Sequence, residues 1–74
     1  MDPSTLHELA NEVEHVADRV DGLIFDALRA QSRGSDDENE AKETERQLSK
    51  VRRSLVKAEQ ILRELAGAAT RSAE

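Results

Sequence analysis

Two antiparallel α-helices, folded back on one another as a short coiled-coil hairpin and dimerising into a four-helix bundle, are the all-α architecture expected of this 74-residue chain. Three features point there. Apolar residues recur at heptad spacing through both halves of the sequence. The stretch Arg33-Gly34-Ser35-Asp36-Asp37-Glu38 stands at the middle with turn and capping residues. The composition is also wrong for a sheet: Phe25 is the single aromatic residue and 36% of the chain is charged, whereas sheet cores draw on β-branched and aromatic side chains.

Helix 1 is expected over about residues 3–33. Leu6, Leu9, Val13, Val16, Val20, Leu23, Ala27 and Ala30 are spaced alternately by three and four residues, a period nearer 3.5 than 3.6 that favours a supercoiled pair. Asp2 before Pro3 reads as an N-cap with proline at the first helical position. Thr5 and Glu8 offer a second, frayed capping box.

The turn is expected at about 34–35. Gly34 can take the left-handed conformation that ends a helix. Ser35 with Glu38 forms a capping box, and Asp36 and Asp37 place negative charge at the positive end of the next helix dipole. No linker is left over, so the helices must run antiparallel.

Helix 2 is expected over about 36–67, with Gly67 as the stop and a frayed tail over 68–74. Its seam is Ala41, Thr44, Leu48, Val51, Leu55, Ala58, Leu62 and Leu65, again with alternating steps. Set against the first seam in reverse order, Leu6 meets Leu65, Leu9 meets Leu62, and so on to Ala30 with Ala41. Each pair of residue numbers adds to the same total, so the layers match about a fold point between Ser35 and Asp36.

Two thin helices bury little, and such a hairpin is marginal alone. Ile24, Phe25, Leu28, Val56 and Ile61 lie off the expected seam, the first three near the turn and the last two toward the open end. They are the candidate anchors of an isologous homodimer interface, or of a docking surface for a different protein partner.

Charge is divided unevenly. Residues 2–33 carry seven acids and three bases, residues 36–40 four acids, and residues 41–74 eight bases and five acids, which together give the net −5. A basic helix beside an acidic one sets antiparallel register through flanking pairs. The alternative is an anion-, nucleotide- or RNA-binding stripe at Lys50, Arg53 and Lys57. The lack of aromatic stacking residues weighs against nucleic acid as a partner.

Glu12-x-x-His15 has the spacing of the metal-binding pair of di-iron bundles. His15 points away from the seam, however, and ligands in bundles must project inward, so no metal and no cofactor are expected. His7 carries no ligand set either. Cysteine is absent, so disulfides and thiolate sites are excluded. No Gly-rich phosphate loop or Ser-His-acid grouping assembles a catalytic site, so the chain is expected not to be an enzyme.

Glu45-x3-Ser49-x2-Arg52 resembles the opening of the ligand signature of the cyclic-di-GMP-binding anti-sigma factors, which are themselves antiparallel helical hairpins. That family continues with Gln and then Asp at four-residue steps, where this chain has Val56 and Gln60. The resemblance covers about eight residues and implies a relative with degenerate or lost ligand binding. In outline the chain also resembles the secreted helical hairpins of the type VII class, but it lacks their Trp-x-Gly turn.

No run of residues is apolar and long enough for a bilayer, and the N-terminus lacks the segments of a secretory signal. The expectation is a cytoplasmic, non-membrane protein. Arg- and Ala-rich, Lys-poor usage suggests a bacterial one. The function expected is protein–protein interaction or oligomerisation, in a small regulator, chaperone or scaffold.

Overall fold

A computed structural model describes residues 2–32 and 38–72. It consists of two helices, α1 (Pro3–Ser32) and α2 (Glu38–Ser72), packed side by side in a rod of 59 × 14 × 12 Å. The expected turn at Gly34–Ser35 and its Ser35–Glu38 capping box lie outside the described residues.

Helix α1 opens on Asp2. Its Oδ1 accepts a hydrogen bond from the Ser4 amide at 2.9 Å, and its carbonyl accepts the first helical bond from the Leu6 amide at 3.3 Å. This is the N-cap geometry, and Pro3 sits at the position where a missing N–H costs nothing.

Antiparallel packing follows from the polar bonds between the helices. Asp21 pairs with Arg52, while Glu14, seven residues earlier, pairs with Arg63, eleven residues later. Position falls along α1 as it rises along α2.

Helix α2 does not stop at Gly67. It continues through Gly67 to Ser72, so the frayed tail expected from 68 onward is helical as far as the described residues go. The reasons are local. Ala66 is fully buried, Ala68 and Ala69 are the best helix formers, and no proline follows. The Thr70 hydroxyl donates back to the Ala66 carbonyl at 2.9 Å. Tertiary burial of Ala66 and this Ala-rich turn outweigh the roughly 1 kcal/mol that glycine costs in a helix.

The inner seam also differs from the expected one. Leu6, Val20, Ala27 and Ala41 are buried as expected, and Val13, Leu48, Leu55 and Leu62 are half-buried. The second set of contact positions is shifted by one residue on both helices. On α1, Ala10 and Ala17 are buried and Ile24 is half-buried, while Leu9, Val16 and Leu23 are 42%, 44% and 53% exposed. On α2, Ala66 is buried and Glu45 and Glu59 are half-buried, while Val51 and Leu65 are exposed. Among the described residues the buried core is thus Leu6, Val20 and five alanines. Small residues at the contact let helix axes come together toward the close end of the 8–10 Å range. Leu9, Val16, Leu23, Val51 and Leu65 are turned out to one side.

Candidate interaction surface

The two broad faces of the hairpin are chemically distinct. It helps to name heptad positions from Leu6 and Ala41 as a. The inner seam is then made by a and e, and two flanks remain, d on one side and b with f on the other.

The b–f flank is cross-linked by polar side chains, and Phe25 and Leu28 also stand exposed on it. Arg52 Nε donates to Asp21 Oδ1. Arg63 is the centre of a small network: its Nη2 donates to Glu14 Oε2 at 2.9 Å and Asn11 Oδ1 at 3.2 Å, and its Nε to Glu59 Oε2 at 2.9 Å. Their side chains are 22–55% exposed, so solvent screens them and each pair is worth well under about 1 kcal/mol. Their value is in fixing register. The basic-against-acidic arrangement read from the sequence is therefore realised by Arg52 and Arg63.

The d flank is apolar. It carries Leu9, Val16, Leu23 and Ala30 on α1 and Thr44, Val51, Ala58 and Leu65 on α2. Both helices turn this flank to the same side of the rod. Near the turn end Leu23, Ala30, Thr44 and Leu48 line one open pocket of about 510 Å³ together with Ala27 and Ala41, and the carboxylates Asp26 and Glu40 border it. Toward the open end the same flank bears Leu9 and Leu65, both exposed.

The five expected interface anchors do not form one patch. Phe25 is 66% exposed and Leu28 46%. Leu28 shares heptad position b with Glu14, Asp21 and Arg63, so it belongs to the polar flank, as does the half-buried Val56. Ile24 is half-buried at the position of Ala10 and Ala17. Only Ile61, exposed at position g beside the d flank, lies on the apolar side. Spacing alone places the stripe of Leu9, Val16, Leu23, Val51 and Leu65 in the inner seam. Its signal in the sequence is the doublets Leu9-Ala10, Val16-Ala17 and Leu23-Ile24, which give α1 three apolar positions per heptad where a two-helix seam uses two.

Lys50, Arg53 and Lys57 are exposed on the outer face of α2. Arg53 Nε donates to the Ser49 carbonyl at 3.4 Å. Arg46, by contrast, has Glu43 within 3.9 Å. The residues that resemble the cyclic-di-GMP signature are engaged internally: Ser49 Oγ donates to Glu45 Oε1 at 3.1 Å, and Arg52 is held by Asp21. Glu12 and His15 are both exposed, and among the described residues no three His, Asp or Glu side chains come together as a metal-binding group. Neither helix, over the described residues, is long and apolar enough to cross a membrane.

No protein-family model, curated protein or solved structure matches this chain.

Proposed function

We propose that this chain is a non-enzymatic interaction and oligomerisation module, a helical hairpin that completes its core by pairing with a second copy to make a four-helix bundle. One observation carries the reading: the large apolar side chains are on the outside. Among the described residues, five of the seven buried apolar ones are alanine, while Leu9, Val16, Leu23, Val51 and Leu65 are each more than 40% exposed. Burying a leucine or valine side chain stabilises by about 1.5–3 kcal/mol, and a lone hairpin forgoes about half of that at these positions.

Surface area supports the same reading. A compact monomer of 8.2 kDa exposes about 4,500 Å². This chain exposes 5573 Å², an excess of about 1,000 Å², close to the roughly 800 Å² that each partner buries in a standard interface. A module of this kind suits a small cytoplasmic regulator, chaperone or scaffold. Thermal melting followed by circular dichroism over a hundred-fold range of concentration tests it. A melting temperature that rises with concentration is expected; one that stays constant, with a monomer throughout, refutes it.

A second reading has its own observation. Lys50, Arg53 and Lys57 form an exposed cationic stripe on the face of α2 remote from the apolar flank, so anion binding there is compatible with pairing. Retention of a nucleotide or RNA that falls steeply between low and physiological salt would support it, and no retention at low salt would end it.

A further inference from the structure

We infer that the second copy docks face to face on the d flank with its turn at the opposite end, so that Leu9 of each copy packs on Leu23 at the edge of the other's turn-end pocket and Glu12 of each meets Arg19 of the other. This rests on the pairing proposed above and specifies its surface and geometry.

Shape makes the first argument. Two hairpins stacked on this flank have two twofold arrangements, with the turns at the same end or at opposite ends. With turns at the same end, two pockets of about 510 Å³ face each other and stay unfilled, while Leu9 and Leu65 crowd their counterparts at the open end. With turns at opposite ends, Leu9 and Leu65, each more than 40% exposed, are no longer set against each other, and Leu9 meets the partner's Leu23 at the edge of its pocket.

Charge makes the second. Position g borders the d flank and holds Glu12, Arg19 and Asp26 on α1. All three are exposed, and neither Glu12 nor Arg19 has an ion-pair partner among the described residues. In the opposite-end arrangement α1 lies antiparallel to α1 of the second copy. The register that stacks Val16 on itself and Leu9 on Leu23 puts Glu12 beside Arg19 of the second copy, twice by symmetry. A slip of one heptad sets Arg19 against Arg19 and Glu12 against Asp26, so the rim charges reject it. The same-end arrangement sets Glu12 against Ile61 and Arg19 against Ser54, with no charge recognition at all.

The absence of cysteine makes the test direct. Val16 lies on the twofold axis of the opposite-end dimer, so Val16→Cys under mild oxidation is expected to give a disulfide-linked dimer. In the same-end arrangement Val16 faces Ala58, and a mixture of Val16→Cys and Ala58→Cys chains cross-links instead. Sedimentation equilibrium runs alongside. Glu12→Arg and Arg19→Glu are each expected to weaken association roughly ten-fold, and the double swap to restore it. Leu23→Asp should abolish association and Phe25→Asp should leave it unchanged. A dimer that cross-links only as the mixture, ignores the charge swaps or dissociates with Phe25→Asp overturns this geometry while leaving pairing intact. A wild-type chain that is monomeric overturns the pairing itself.

Discussion

Gly22 and Gly67 are both inside helices, and replacing each by alanine isolates helix propensity from packing. A Cβ built at Gly22 meets nothing within 4 Å, and one at Gly67 meets only Arg71 Nη1 at 3.9 Å, an ordinary contact. No clash offsets the gain. Alanine is better than glycine in a helix interior by about 0.8–1.0 kcal/mol, partly by narrowing the unfolded ensemble. The sites are far apart along the rod and share no partner, so their effects should add to about 2 kcal/mol. For a domain of about 60–100 residues, 1 kcal/mol moves Tm by about 4–8 °C. Each single substitution is therefore expected to raise Tm by roughly 3–8 °C and the pair by about twice that. The assay is thermal melting at 222 nm at one fixed protein concentration, because pairing makes Tm depend on concentration. Gly22 is on the side of α1 away from both the seam and the d flank, so dimer affinity should not change. A fall in Tm for Gly22→Ala would mean that something packs on that side, and would refute the placement of the two faces.

The other predictions concern the seam and its ends. Ala10→Leu puts extra bulk at a position with no exposed surface and should destabilise by about 1–3 kcal/mol through overpacking, whereas Leu9→Ala in a monomeric variant should cost less than Leu6→Ala; urea titration checks both. Asp2→Ala removes the acceptor of the Ser4 amide and should cost about 1 kcal/mol, read as faster amide exchange confined to the first turn of α1. Arg52→Ala breaks a half-exposed pair with Asp21 and should cost under about 1 kcal/mol, an effect that shrinks in high salt.

The helices and their shared heptad positions were legible because a period of 3.5 sustained over four heptads has few other meanings. Leu6, Val20 and Ala27 were read correctly for that reason. The rotation of each helix about its axis was not legible. Leu9 and Ala10 compete for the same slot, and hydrophobicity favours leucine while close approach of two backbones favours alanine. On α2 the slot beside Leu48, Leu55 and Leu62 goes to Glu45, Arg52, Glu59 and Ala66, residues no apolar count selects. The aliphatic stems of the half-buried Glu45 and Glu59 cover the seam while their charged ends reach solvent or an ion pair, as Glu59 does with Arg63. The interface set of Ile24, Phe25, Leu28, Val56 and Ile61 depends on that rotation, being what remains off a seam one residue away. Gly67 misled differently. Glycine ends helices often, but a buried Ala66 and two following alanines carry the helix through it.

The central claim is that the apolar flank is one half of a core shared by two copies. Sedimentation equilibrium of the unmodified protein at micromolar concentration tests it most directly. A mass twice the 8.2 kDa of the chain, reduced to a single chain by Leu23→Asp, is the predicted result. A single-chain mass at every concentration, with the helices still folded, would contradict it.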